Sequence, residues 1–124
     1  MPVISLIGFP DNLVEGLMAL SAHLGFEITR QNNPDEIPKD AAAAFVCGDR
    51  AGWLENICEV RSTHSRMFLV IATRRPDHEK WLDALEAGAN DYCCTPIDAR
   101  QFAWLLRRDL ESKPAVATAA SLAS

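Results

Sequence analysis

The sequence predicts a single doubly wound α/β domain, a parallel sheet with helices on both faces. Three observations carry that prediction. Largely apolar runs at 3–7 (VISLI), 41–47 (AAAAFVC) and 67–73 (MFLVIAT) read as strands buried on both sides of the pleat. Stretches with helical spacing lie between them, so strand, helix and strand alternate in the order that builds parallel crossover units. The length, 124 residues, allows one core and not two.

Taken in order, Val3 to Ile7 is the first strand and Gly8-Phe9-Pro10-Asp11 turns the chain. Asp11 or Asn12 is expected to cap the first helix, with Glu15 completing a capping box on Asn12. Leu13, Leu17, Leu20 and Leu24 recur at helical spacing, and Gly25 ends that helix. Phe26 to Thr29 or Arg30 is the second strand. From Gln31 to Asp40 there are two prolines and no apolar stripe. Pro34 can open one helical turn but Pro38 prevents more, so the helix before the third strand is expected to be short or missing. Four alanines from Ala41 favour helix by propensity. Seven residues between that loop and Gly48 nevertheless suit a central strand better.

Ala51 or Trp53 opens the next helix, with Trp53, Ile57 and Val60 on one face, Leu54 and Cys58 beside them, and an end near Ser62. The strand from Met67 to Thr73 runs into Arg74-Arg75-Pro76-Asp77, where Pro76 or Asp77 opens a helix whose inward stripe is Trp81, Ala84 and Leu85. Gly88 ends it. Ala89 to Cys94 is the fifth strand. Asp98 caps the last helix with Gln101 as its reciprocal partner, and Phe102, Leu105 and Leu106 face the core. The segment 112–124 is small, polar and aperiodic, which predicts a domain over 1–111 followed by a flexible tail or the start of a linker.

Composition narrows the function classes. Hydrophobic residues make up 48% and charged residues 23%, an ordinary soluble balance. A net charge of −5 argues against nucleic-acid binding by this domain. The longest apolar run, Ala41 to Cys47, is far short of the ~20 residues of a membrane span, and no basic segment precedes an apolar one at the N-terminus. A cytoplasmic location is expected by default. Cys47, Cys58, Cys93 and Cys94 form no CxxC pattern and His23, His64 and His78 are scattered, so neither a metal site nor a cofactor is expected. The thiols read as small buried apolar groups.

The stretch ALEAGANDY over 84–92, preceded by a strand ending in Ala72-Thr73 and followed by Pro96, resembles the receiver domain of two-component response regulators. The resemblance covers about residues 3–111 and is most specific from Phe68 to Pro96. It implies a flavodoxin-like sheet of strand order 2-1-3-4-5. It also implies a site for phosphoryl transfer to an Asp at the end of the third strand. Such a site needs acids after the first strand to hold Mg²⁺, and a hydroxyl and a lysine to neutralise the phosphoryl oxygens.

Placed on this sequence, the metal-binding acids fall on Gly8 and Phe9, followed by Pro10 and Asp11. The acceptor falls on Cys47, with Asp49 two residues on. The hydroxyl is Thr73, and the lysine is Thr95. The resemblance therefore implies a pocket (Gly8, Phe9, Asp11, Cys47, Asp49, Thr73, Thr95) that keeps its shape without the charges for the reaction. This predicts a phosphorylation-independent signalling module and not an enzyme. The alternatives are an active receiver phosphorylated at Asp49, or a thiol redox switch centred on Cys47, with Cys93-Cys94 nearby and Arg74 and Arg75 supplying a positive field.

Receivers signal through the helix after the fourth strand, the fifth strand and the last helix, with Thr73 and an aromatic, here Tyr92, as the switch pair. With Phe102 inward, Trp104 lies about 200° round the helix, flanked by Arg100, Arg107 and Arg108, the composition of a binding hot spot. Asp91 is placed to pair with Arg107 or Arg108 across a two-fold axis. The expected partner is thus another protein or a second copy of the chain, with no membrane and no direct nucleic-acid contact.

Overall fold

The computed structural model describes residues 2–111, with side chains as far as Arg107. The predicted tail over 112–124 and the side chain of Arg108 lie outside the described residues. The element order is β1 (Val3–Ile7), α1 (Asp11–Leu24), β2 (Glu27–Gln31), a single 3₁₀ turn (Pro34–Glu36), β3 (Ala43–Cys47), α2 (Trp53–Thr63), β4 (Phe68–Thr73), α3 (His78–Ala87), β5 (Asp91–Cys94) and α4 (Ala99–Glu111). The five strands form one sheet in the order β2-β1-β3-β4-β5, and all four pairings are parallel. Among the described residues no helix is long and apolar enough to cross a membrane.

The alternation of side chains along each strand divides the core in two. Ile4 and Leu6 of β1, Phe45 and Cys47 of β3, Val70 and Ala72 of β4 and Cys93 of β5 pack with Val14 and Leu17 of α1 and with Phe102, Leu105 and Leu106 of α4. On the other face Ile7, Ala44, Val46, Leu69 and Ile71 meet Ile57 and Val60 of α2 and Ala84 of α3. The alanines of β3 lie in the strand and are fully buried: at the centre of the sheet, tertiary packing overrides their helical propensity.

The missing helix leaves a chemical trace. Its place is taken by the 3₁₀ turn, closed by a capping box between Asn33 and Glu36 and anchored by buried Pro34 and Ile37. The β1–β2 part of the sheet carries polar side chains that bond to one another. Buried Ser5 of β1 donates to Gln31 Oε1 at 2.6 Å and lies 3.2 Å from Thr29 Oγ1. Hydrogen bonds thus replace the apolar contact that a helix would have supplied.

Several local expectations need correction. Helix α1 starts at Asp11 with Pro10 as its N-cap and no side-chain cap, so the Asn12–Glu15 box does not form. Instead Pro10 O accepts from the N–H groups of Leu13 and Val14, both at 3.1 Å. Strand β2 begins at Glu27 and runs to Gln31, one residue later at each end than expected. Strand β5 begins at Asp91 because Gly88 and Ala89 are used to close α3, where Ala89 N–H reaches Ala84 O at 2.9 Å. In the expected stripe of α3 only Ala84 is buried; Trp81 and Leu85 remain 38% and 39% exposed. Two small residues, buried Ala84 and partly buried Ala87, make its core contact.

Candidate functional site

In a doubly wound sheet the loops at the carboxyl ends of the strands form the site. Here these are the turns after β1, β3, β4 and β5. The seven pocket positions marked by the resemblance do not line one cavity. The structure divides them into a sealed group and an open cleft.

The sealed group lies on the α1–α4 side. Phe9 follows Gly8, whose φ of +79° only glycine adopts readily, and folds back into the core with 1% of its surface exposed. Cys47, at the end of β3, is 5% exposed and belongs to the same buried cluster as Phe9, Cys93 and Ile97. Burial pushes the Cys47 thiol above its ordinary pKa; the nearby Asp49 carboxylate adds to that, and a backbone hydrogen bond opposes it. Cys93 is pushed up to about 12, first by burial and then by the Cys94 and Asp91 charges. Thr95 is 8% exposed, its N–H donates to Thr73 O at 2.8 Å, and its buried hydroxyl has no hydrogen-bond partner among the described residues. An aromatic ring, a neutral thiol and an unpaired hydroxyl thus stand where the resemblance implies carboxylates and a lysine.

Over this group the turns are tied down by arginines. The Arg50 side chain packs on Gly8, with its Cδ 3.1 Å from where a Cβ would stand. Asp11, the remaining acid after β1, is exposed and pairs with Arg30 of β2, which also donates to Phe9 O at 2.8 Å. Asp11 therefore points toward the sheet's outer edge, and its charge is used in fixing the β1–α1 turn. Among the described residues no three His, Cys, Asp or Glu side chains converge in a way that could hold a metal.

The open cleft lies on the α3 side of β4. It measures about 380 Å³ and is lined by Asp49, Thr73, Arg74, Arg75, Pro76, Asp77 and Lys80. Gly48 makes the approach possible: a Cβ there would stand 2.7 Å from Thr73 Cγ2 and 2.9 Å from Ile71 Cδ1. Asp49 Oδ2 accepts Arg74 N–H at 2.9 Å, which ties the β3–α2 loop to the β4–α3 loop. Asp77 caps α3 by accepting Lys80 N–H at 3.0 Å.

Lys80 Nζ donates to Gly48 O at 2.8 Å and stands 6.0 Å from the Trp53 ring centre. Sequence reading missed this lysine. The signal was present, because a side chain in the first turn of a helix leans toward the helix N-terminus, here toward the strand ends.

Thr73 and Tyr92 are brought together as expected: Thr73 Oγ1 and Tyr92 OH share a hydrogen bond. The same phenol accepts Asp77 N–H at 3.0 Å and lies 3.2 Å from Arg75 O, to which Thr73 Oγ1 also donates at 2.7 Å. Burial raises the Tyr92 pKa, and the bonds to Thr73 and Asp77 oppose that shift. The Trp81 ring packs 5.9 Å from the Tyr92 ring, so α3 rests on the residue bonded to Thr73.

The remaining expected residues lie on the outer face of β5 and α4. Asp91 is half-buried, and its Oδ1 accepts Tyr92 N–H at 2.7 Å. Trp104 is 52% exposed, and with Arg100 and Arg107 it lines a shallow depression along α4. Asp98 caps α4 through Gln101 N–H at 2.7 Å.

No family model and no curated protein sequence matches the chain. Solved structures do. A response regulator receiver domain protein from Clostridium thermocellum superposes with a TM-score of 0.78 at 14% identity, covering 90% of this chain and 95% of that one. A Burkholderia pseudomallei protein described as pilus-assembly-related gives 0.76 at 19% identity, over 90% and 91% of the two chains. A beryllofluoride-activated DrrB receiver domain gives 0.74 at 19%, over 90% and 98%. The fold is that of response regulator receiver domains.

Proposed function

We propose that this domain is a receiver-fold signalling module that works without phosphorylation, through a protein partner or a second copy of itself, in a bacterial two-component-type pathway. The observation that carries the reading is the sealed acceptor position. A phosphoryl group on a receiver needs a carboxylate nucleophile, a divalent cation and a lysine around it. Here that place holds the buried Cys47 thiol, the Phe9 ring and Thr95. A thiol with a raised pKa also gives little support to a redox switch, which needs an accessible thiolate.

The lock on Tyr92 fits the same reading. The resemblance makes Thr73 and Tyr92 a switch pair, and here the pair is hydrogen-bonded and held by two backbone groups of the 75–77 loop. The α3–β5–α4 face is then presented in one state. That face carries Trp81, Leu82, Leu85 and Trp104, four exposed large apolar side chains, beside Arg100 and Arg107. Exposed apolar groups rimmed by charge mark interaction surfaces.

Sedimentation equilibrium tests the proposal, with and without a small-molecule phosphoryl donor and Mg²⁺. The expected result is a concentration-dependent mass, indifferent to the donor and shifted toward monomer by Trp104→Ala. A monomer at all concentrations would require a different partner to be found on this face. A donor-dependent mass would end the proposal.

One observation favours a second reading. Asp49 is exposed and shares the open cleft with Thr73 and Lys80, a hydroxyl and a cation. Phosphorylation there predicts a phosphoryl adduct in intact mass spectra that Asp49→Asn abolishes.

A further inference from the structure

The cleft on the α3 side of β4 has a charge balance opposite to that of the whole chain. Three cationic side chains line it (Arg74, Arg75 and Lys80) against two carboxylates, in a protein of net charge −5. Both carboxylates are already engaged by backbone N–H groups, Asp49 by Arg74 and Asp77 by Lys80. The cations are less committed. Among the described residues Lys80 Nζ donates to Gly48 O, which aims the ammonium across the cleft and leaves two further protons to donate.

We infer that this cleft binds a small oxyanion, a phosphoryl or carboxylate headgroup, held without a covalent bond by Lys80, Arg74 and Arg75. Guanidinium groups match both headgroups with paired N–H donors, and the lysine adds a point charge. The site lies outside the carboxyl ends of the strands, where doubly wound sheets bind ligands. At about 380 Å³ it is near the lower end for small-molecule pockets, large enough for the headgroup and a few attached atoms.

The inference deepens the proposed function and rests on it in one respect. The loop that would grip the anion also supplies Arg75 O and Asp77 N–H to Tyr92. An anion drawing Arg74 and Arg75 inward therefore acts on the residue that holds the interaction face. A diffusible ligand takes the place of a covalent phosphoryl group.

The test is an amide NMR titration with inorganic phosphate at constant ionic strength, followed by one with acetate. The expected result is saturable shifts centred on Gly48, Arg74, Arg75 and Lys80. Lys80→Gln and Arg75→Gln should each weaken binding by about tenfold, the loss of a charge-assisted hydrogen bond. Lys39→Gln, outside the cleft, should leave it unchanged.

Saturation with both anions assigns a general oxyanion site, with acetate alone a carboxylate site, and with phosphate alone a phosphoryl one. Shifts that follow chloride equally, do not saturate, or survive both charge removals would overturn the site. That outcome would leave the sedimentation behaviour untouched, so the two failures are distinguishable.

Discussion

At Thr95 a buried hydroxyl sits without a hydrogen-bond partner among the described residues, at the position where the resemblance implies a lysine. A buried polar group left unpaired costs about 1–3 kcal/mol, so removing it without changing shape should help. Thr95→Val is expected to stabilise the domain by about 1 kcal/mol, read as a higher urea midpoint at unchanged slope. A loss of similar size would mean that the hydroxyl has a partner in solution. Cys93 gives a pH prediction. Its pKa rises from 9.0 to about 12 on folding, so the folded state holds the proton more tightly than the unfolded chain. The resulting stability is fully present below pH 9.0 and is lost as pH rises toward about 12. Urea midpoints measured from pH 8 to 11 should fall above about pH 9, and Cys93→Ala should flatten that decline.

Among the elements, α2, α3 and β5 are joined by Arg61. Its Nε donates to Gly88 O at 2.9 Å, while its terminal nitrogens reach His64 O at 3.1 Å, Ser65 O at 2.9 Å and Asn90 Oδ1 at 2.8 Å. Asn90 in turn accepts Leu69 N–H at 2.8 Å, so the clamp extends to β4. Burial lowers the Arg61 pKa. A lysine cannot reproduce this planar fork. Arg61→Lys is expected to cost about 2 kcal/mol in urea unfolding and to speed hydrogen exchange at Leu69 and Asn90. An unchanged midpoint would show that the carbonyls are satisfied by water instead. This clamp was not legible in the sequence, because its acceptors are mostly backbone carbonyls, contributed by two separate loops.

For the whole molecule, the strands and the shortened helix were legible because each rests on a strong local signal, while the strand order came from the resemblance. Unbroken apolar runs marked the central strands, and Pro34 and Pro38 marked the place where a helix could not continue. The α4 stripe was legible for the same reason, with Phe102, Leu105 and Leu106 at 0%, 1% and 3% exposure. The α3 stripe was misread because periodicity does not reveal how much of a helix the core covers. The site was only half legible. Residue types at the family positions showed which charges were absent, but not that Phe9 would turn inward or that Lys80 would reach Gly48 from the other side of β4.

The central claim is that the acceptor end of the sheet is sealed against a phosphoryl group and its metal. Beryllofluoride with Mg²⁺ mimics that group, so amide spectra recorded before and after its addition test the claim directly. The account predicts no slow-exchange peaks at Phe9, Cys47 or Thr95, the residues of the sealed group, beyond those caused by Mg²⁺ alone. A new set of peaks at these residues, saturating with beryllofluoride, would contradict it.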